Sequence, residues 1–311
     1  MRIAVRRTLA GLLAAGVMAV PAIAYGQVRE SGSTTSSRAS TAYRPDTGND
    51  DRSVGRDLDV IGLTTKGRLV QFDAADPMRS RDLGSVKGLV GDASLVGIDY
   101  RVQDGKLYGV GDQGGIYTIS TRGAVATMVS RLTVPLQGAS FGVDFNPAAN
   151  RLRVISDTGQ NLRHNLDDPM GAPPAGTTAT DATLTYPPAT TPATGVTGAA
   201  YTNNDLDATT ATTLVDLDTM QDQAAIQSPA NNGTFAPTGK LLVDVGPTAG
   251  FDIYSRLRAG RTVSNAAYAA LPVGGRSAFF RVNLLAGQAE PVGFFSSRNQ
   301  VVDIAIPLNQ R

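Results

Sequence analysis

A four-residue pattern recurs along the chain and constrains its fold more than any other feature. Three copies read glycine, apolar residue, aspartate, apolar residue; a fourth lacks the aspartate, and the last lacks the glycine. In chain order the copies are Gly97-Ile98-Asp99-Tyr100, Gly142-Val143-Asp144-Phe145, Gly198-Ala199-Ala200-Tyr201, Gly250-Phe251-Asp252-Ile253 and Val301-Val302-Asp303-Ile304. They start 45, 56, 52 and 51 residues apart, which is typical of four-stranded propeller blades. Strand-like runs and turn residues follow the copies, so the pattern predicts an all-β propeller.

The two ends of the chain are expected to build one blade together. The copy at Val301 has too few residues after it for a blade, whereas residues 59–63 and 68–72 read as second and third strands without a first. Pairing the C-terminal strand with this N-terminal blade closes the ring and satisfies open strand edges. The sequence therefore predicts five blades, with six as the alternative if the Pro/Thr-rich insertion at 171–197 is more structured. Within that insertion, the alternation in residues 182–186 suggests one short strand.

Composition agrees with this fold and excludes several classes of protein. Aspartate outnumbers glutamate 25 to 2 and arginine outnumbers lysine 24 to 4, so common helix formers are scarce. The chain has no cysteine and one histidine, which excludes thiol enzymes, disulfide scaffolds and most zinc sites. A net charge of +1 with 41% hydrophobic residues argues against wholesale disorder and against a basic nucleic-acid binder.

The first part of the chain is expected to direct export. Residues 1–26 combine three early arginines, an apolar run too short to span a bilayer and a small-residue cleavage motif, as in a signal peptide cut after Ala24 or Gly26. Residues 27–57 are rich in Ser, Thr, Arg and Asp and are expected to be a disordered linker. The mature propeller, residues 58–311, is then periplasmic or extracellular, without a transmembrane segment, and monomeric.

Longer motifs in the middle of the chain resemble one known family. The runs at 142–147, 151–163 and 200–204, which read GVDFNP, RLRVISDTGQNLR and AYTNN, are similar to the bacterial domain of unknown function family 4394. The resemblance covers roughly residues 59–306. It implies an exported, propeller-like β domain with no assigned activity.

The repeated aspartates are the first candidate site. Because the first strand of a blade is innermost, Asp99, Asp144, Asp252 and Asp303 are expected around the central channel. Such a cluster suits a hard cation such as Ca²⁺, which prefers oxygen ligands. In the alternative, architectural interpretation, each aspartate accepts hydrogen bonds from a turn of the neighbouring blade and locks the blades together.

The second candidate site consists of polar residues from two parts of the chain, residues 151–163 and residues 203–204. Arg151 and Arg153 share a strand face, and guanidinium and amide groups suit an anionic or sugar-like ligand. The predicted ligand-binding residues are Arg153, Asp157, Asn161, Arg163, Asn203 and Asn204. The alternatives are a surface lattice of ion pairs for the first four and ordinary tight turns for the two asparagines. The Asn231-Asn232-Gly233 run has two similar interpretations, as the lining of a pocket at the loop face or as an ordinary tight turn.

Two further motifs are set aside. The run Gly109–Gly114 matches a dinucleotide-binding pattern, but it precedes a strand where that site needs a helix, so a hairpin is expected. His164 is the only histidine available to a serine nucleophile, and a lone histidine on a strand is more often a surface or hydrogen-bonded structural residue.

Two functional classes follow. The first is a non-catalytic exported propeller that binds a small molecule, a glycan or a protein, but not nucleic acid, through loops at one end of the ring. The second is an aspartate-based extracellular hydrolase or lyase acting on carbohydrate, which needs two suitably spaced carboxyl groups.

Overall fold

Twenty β-strands supply most of the regular structure of residues 58–310, the part of the chain that the computed structural model describes. In chain order the strands are β1 (Asp59–Thr64), β2 (Arg68–Asp73), β3 (Asp76–Ser85), β4 (Leu95–Tyr100), β5 (Leu107–Gly111), β6 (Gly115–Ser120), β7 (Val125–Arg131), β8 (Phe141–Asn146), β9 (Arg151–Ser156), β10 (Asn161–Asn165), β11 (Thr177–Thr180), β12 (Val196–Tyr201), β13 (Leu214–Asp218), β14 (Gln223–Gln227), β15 (Phe235–Lys240), β16 (Gly250–Arg258), β17 (Arg261–Val273), β18 (Arg276–Val282), β19 (Ala289–Phe294) and β20 (Val301–Ala305). A short 3-10 helix covers Ala230–Asn232.

The strands form five four-stranded antiparallel sheets arranged in a ring, which is a five-bladed β-propeller. Blade 1 has the order β20-β1-β2-β3, and blades 2, 3, 4 and 5 are β4–β7, β8–β11, β12–β15 and β16–β19. The innermost strands of successive blades contact one another around the ring. The predicted fold class and blade number are thus confirmed.

Blade 1 is closed by strands from the two ends of the described chain. Strand β20 pairs with β1 in antiparallel register, with Gly62 opposite Ile304 and Ile61 opposite Ala305. Strands β1 and β2 occupy the second and third positions, as the sequence predicts. The predicted signal peptide and linker lie outside the described residues. Residues 58–310 contain no helix with the length and hydrophobicity needed to cross a bilayer.

The repeated glycines are explained by the close approach of neighbouring innermost strands. A Cβ on Gly142 would lie 2.7 Å from the backbone nitrogen of Ala199 in blade 4. A Cβ on Gly97 would lie 2.7 Å from Cβ of Val143, and one on Gly198 would lie 3.0 Å from Cβ of Phe251. The ring is therefore narrow enough to require glycine at this position of the repeat.

The segment at 171–197 differs in detail from the prediction. The strand in it is β11, the outermost strand of blade 3, and not residues 182–186, which form only an isolated bridge between Thr185 and Thr234. Leu184 is nevertheless fully buried in the core between blades 3 and 4. The alternation of residues 182–186 therefore reflects a loop that packs one side chain, Leu184, between blades. The predicted hairpin at Gly109–Gly114 is present as the turn from β5 to β6.

The hydrophobic core lies between blades rather than in one central cluster. Blades 5 and 1, for example, share Phe72, Phe279 and Phe295, whose rings meet edge to face with centroids 5.0 to 6.0 Å apart. Because the faces of neighbouring blades pack against each other through apolar side chains, polar groups can cluster in the central channel and in the loops that connect the strands.

Candidate functional site

A polar pocket of about 370 Å³ opens between blades 3 and 4. Turns β8–β9, β10–β11 and β14–β15 meet at this end of the two blades, because the strands of each blade alternate in direction. The lining residues are Asn146, Ala149, Arg151, Arg153, Arg163, Ala172, Tyr201, Pro229, Ala230, Asn231 and Asn232.

Arg153 forms the floor of the pocket. Its side chain is 3% exposed and donates from Nη1 to Asp181 and Asn161, both at 2.7 Å. From Nη2 it donates to Asn231 Oδ1 at 2.8 Å, and from Nε to the Tyr201 hydroxyl at 3.3 Å. One guanidinium group thus joins blade 3 to blade 4 and fixes the pocket wall.

Two more arginines complete the basic surface. Arg163 reaches Asp181 with Nη2 at 3.0 Å, and Arg151 reaches Asp168 with Nη2 at 3.0 Å. Three guanidinium groups thus pair with two carboxylates, those of Asp168 and Asp181. Asp216 also lies near Arg153, but burial raises the pKa of its carboxyl group well above the usual value, so one positive charge is in excess. This charge is held by rigid strands and is partly shielded from water, so it favours an anionic ligand.

Several donors in the pocket have capacity to spare. The bonds of Arg163 use Nε, one N–H of Nη1 and one of Nη2, so each terminal nitrogen keeps an N–H that no described residue accepts. Asn231 accepts from Arg153 through Oδ1, and its amide nitrogen has no acceptor within the described part of the chain. The exposed side chain of Asn232 lines the same opening.

The structure brings together only part of the predicted ligand-binding set. Arg153 and Arg163 line the pocket, and Asn161 lies buried beneath it, donating its amide to the carbonyls of Ala182 and Ala230. Asp157 lies beyond the opposite end of β9 and accepts from the backbone N–H of Ala139.

Asn203 and Asn204 face blade 5 rather than this pocket. Asn203 exchanges hydrogen bonds with Asn265, and Asn204 donates its amide to the carbonyl of Ile253 at 2.9 Å. These two residues connect blades 4 and 5 and do not meet the arginines.

The four repeated aspartates lie around the central channel, each nine-tenths or more buried. Each accepts a backbone N–H from the neighbouring blade: Asp99 from Phe145 at 2.8 Å, Asp144 from Tyr201, Asp252 from Ile306 at 2.6 Å and Asp303 from Ile98 at 2.7 Å. Three of these donors lie in innermost strands, and the fourth directly follows one. The architectural interpretation expected the donors to lie in turns of the neighbouring blade, and in this detail it was wrong. Blade 4 carries Ala200 at this position and has no such acceptor toward blade 5.

Three of the four carboxylates form a tight cluster. Asp99, Asp144 and Asp252 each place an oxygen within 4.8 Å of the others. Burial, followed by the nearby carboxylates, raises the pKa of Asp99 and Asp144 well above the usual value. Burial raises the pKa of Asp252 to about 7 and that of Asp303 well above its ordinary value. The channel therefore disfavours charge unless a proton or a cation compensates it.

The family model described as "Domain of unknown function (DUF4394)" matches residues 68–305. The chain belongs to this family. The matched region extends from the start of β2, the third strand of blade 1, to the last residue of β20, so the pocket and the channel both lie inside the DUF4394 domain. No curated protein matches this DUF4394 chain.

Solved structures similar to this DUF4394 chain share little sequence with it. A symmetrical protein studied for its de novo evolutionary emergence is 13% identical, with a TM-score of 0.45 over 81% of this chain and 100% of its own. An auxiliary nutrient binding protein from Bacteroides thetaiotaomicron is 11% identical, with a TM-score of 0.41 over 76% of this chain and 57% of its own. The Dos1 propeller is 11% identical, with a TM-score of 0.35 over 72% of this chain and 54% of its own.

Sequence reasoning missed the residues at two strand ends of the pocket, Asn146 and Tyr201, whereas Asn231 and Asn232, which it considered as a pocket lining, do line it. Tyr201 and Asn146 meet there, and the Asn146 side chain hydrogen-bonds the Tyr201 hydroxyl. Tyr201 lies in the repeat copy that lacks an aspartate. A polar group at the end of that atypical innermost strand was the available signal for it.

Proposed function

We propose that this DUF4394 chain is an exported, non-catalytic binding module whose pocket between blades 3 and 4 takes a small anionic, polar molecule. The observation that carries the proposal is the surplus of guanidinium groups over carboxylates in a pocket with unused N–H donors. Export is proposed from the amino-terminal sequence alone.

The pocket dimensions and donors define a class of ligand. A volume of about 370 Å³ lies at the small end of ligand pockets and suits a molecule the size of a monosaccharide. A carboxylate matches the forked N–H groups of Arg163, and hydroxyl groups match the amides of Asn231 and Asn232. A sugar acid or a small hydroxy acid combines both features.

The carbohydrate hydrolase is less well supported by this geometry. Glycosidic cleavage uses carboxyl groups roughly 5 to 9.5 Å apart beside an open substrate cleft. Oxygens of Asp99, Asp144 and Asp252 lie within 4.8 Å of one another, and all three residues are buried in the channel. Both oxygens of Asp99 and of Asp252 also accept backbone N–H groups.

Ligand-dependent thermal stability tests the proposal. The melting temperature of the purified chain is measured with a sugar acid such as glucuronate, with the neutral sugar glucose and with inorganic phosphate. We expect a rise with the sugar acid that exceeds the rise with glucose, because only the acid uses the surplus charge.

Variants locate the effect. Arg163→Gln removes the surplus charge from the most accessible of the three arginines and is expected to abolish the rise. Arg122→Gln, on the exposed β6–β7 turn of blade 2, is the matched control and is expected to keep it. A sugar-acid response that persists in Arg163→Gln would place binding elsewhere and contradict the proposal.

A further inference from the structure

The central channel contains a polar arrangement that the pocket does not use. Asp99, Asp144 and Asp252 come from the innermost strands of blades 2, 3 and 5, which bring one carboxylate oxygen from each to within 4.8 Å of the others. Calcium ions bind oxygen ligands at about 2.3 to 2.6 Å, so oxygens around one ion lie up to about 5 Å apart. The separation of the three carboxylates is therefore that of ligands around one ion.

Hydrogen bonds from backbone N–H groups satisfy most oxygens of these three carboxylates, but not Oδ1 of Asp144. Both oxygens of Asp99 and both oxygens of Asp252 accept backbone N–H groups. Asp144 is 2% exposed, and its Oδ1 has no hydrogen-bond partner among residues 58–310. Leaving a buried carboxylate oxygen without a partner is costly, so the blade-locking role alone does not explain Asp144.

The charges around the cluster have one sign. The groups that act most strongly through charge on Asp99 and Asp144 are the other channel carboxylates, including Asp303. A carboxylate oxygen has two lone pairs, so one that accepts an N–H can also ligate a cation. The existing hydrogen bonds would then orient the ligands rather than compete with the ion.

We propose that Asp99, Asp144 and Asp252 bind one Ca²⁺ ion in the central channel. The ion would join blades 2, 3 and 5 at the axis and complete the coordination of Asp144 Oδ1. Hard, oxygen-ligated Ca²⁺ fits a set made only of carboxylates, and neither the pocket nor its ligand takes part.

Thermal unfolding of the whole chain tests this site. The melting temperature is measured in chelator, in Ca²⁺ and in Mg²⁺. We expect Ca²⁺ at about one hundred times its dissociation constant to raise it by about 5 to 10 °C. An unchanged melting temperature in about 10 mM Ca²⁺, above the dissociation constants of weak protein sites, would overturn the proposal. An equal rise with Mg²⁺ would overturn the assignment to Ca²⁺.

Three variants connect the effect to the channel. Asp144→Asn and Asp99→Asn are expected to lose the Ca²⁺-dependent rise. Asp216→Asn is the matched control, because Asp216 is another buried aspartate, belongs to β13 outside the channel and has no side-chain hydrogen-bond partner in the part of the chain that the structure describes. A rise that persists in both channel variants would show that Ca²⁺ binds elsewhere.

Direct binding to the unmodified chain removes any dependence on how the variants fold. Terbium(III) replaces Ca²⁺ in oxygen sites and emits when nearby tyrosines are excited. Tyr100 directly follows Asp99, and the chain has no tryptophan to compete. We expect tyrosine-sensitised emission that Ca²⁺ displaces; emission that Ca²⁺ leaves unchanged would contradict the site.

Discussion

His164 is buried between blades 2 and 3 and satisfies both ring nitrogens. Nε2 lies 2.9 Å from the Ser130 hydroxyl, and Nδ1 lies 2.9 Å from the Thr178 hydroxyl. Burial lowers the pKa of His164 to about 4. The histidine thus stays neutral at ordinary pH and links β7, β10 and β11; of the two predicted alternatives, a surface or a hydrogen-bonded structural residue, it is the second.

The lowered pKa of His164 predicts a loss of stability in acid. Because the unfolded chain binds this proton near pH 6.5 and the folded chain only near pH 4, the contribution of His164 is full above about pH 6.5 and falls as the pH drops to about 4. Denaturant unfolding at several pH values should show His164→Gln losing about 1 to 2 kcal/mol less across this window than the unmodified chain. Parallel pH profiles for the two proteins would contradict this role.

The buried carboxyl group of Asp216 predicts a dependence of stability on pH that is opposite to that of His164. Both of its carboxylate oxygens are buried and lack a hydrogen-bond partner among the described residues, and burial raises the pKa of Asp216 well above the usual value. The folded chain therefore holds a proton that the unfolded chain releases near pH 4, and stability from this group is lost as the pH rises through the folded pKa.

The isosteric variant Asp216→Asn should remove that pH dependence. At pH 8 we expect it to exceed the unmodified chain in free energy of unfolding by about 1 kcal/mol or more, with a smaller difference at pH 5. Urea unfolding at both pH values measures this. The reverse order at pH 8 would show that attraction to Arg153 outweighs the cost of burial.

Among the elements, the innermost strands are the most predictable from sequence and the outermost the least. The Gly-x-Asp repeat locates β4, β8 and β16 because two constraints coincide there, a close approach at the glycine and a backbone acceptor at the aspartate. Strand β11 consists of four residues that are half-buried or exposed, TTAT, and carries no comparable pattern.

The same contrast applies to the two candidate sites. Asp144 and its equivalents can be placed around one axis because each copy of the repeat occupies the same position in its blade. The pocket combines Arg153 of blade 3 with Tyr201 and Asn231 of blade 4, and no sequence spacing connects those two blades' loops. The sequence shows which types of polar residue are available for the pocket, whereas tertiary packing determines which of them line it.

The glycine of the repeat predicts that a larger residue at this position of an innermost strand lowers the free energy of unfolding. Gly142→Ala forces a Cβ to 2.7 Å from the Ala199 backbone, and we expect a loss of about 1 to 3 kcal/mol in the free energy of unfolding. Gly293→Ala, on the outermost strand β19, is the control, because its nearest neighbour is Pro77 Cγ at 3.3 Å. Equal losses in chemical denaturation of the two variants would show that the ring is not tight at Gly142.

For the whole molecule, closure depends on strand β20. This strand pairs with β1, and its Asp303 accepts from Ile98 of blade 2 at 2.7 Å. One strand therefore completes blade 1 and connects that blade to blade 2.

Removal of residues 301–311 should abolish cooperative folding. The shortened chain would expose the inner edge of β1 and lose the contacts that β20 makes with β4 of blade 2 and with β16, β17 and β18 of blade 5. Near-ultraviolet circular dichroism and thermal unfolding measure this, with the complete chain as control. Cooperative unfolding at an unchanged melting temperature would show that the ring does not need closure.

The pairing of Gly62 with Ile304 also means that blade 1 can be completed only after residue 304 has been synthesised. Nearly the whole domain must leave the ribosome before its first blade receives its inner strand. A nascent chain consequently carries an open sheet edge until β20 has been made. We expect chaperones that shield this edge during synthesis to raise the yield of folded protein.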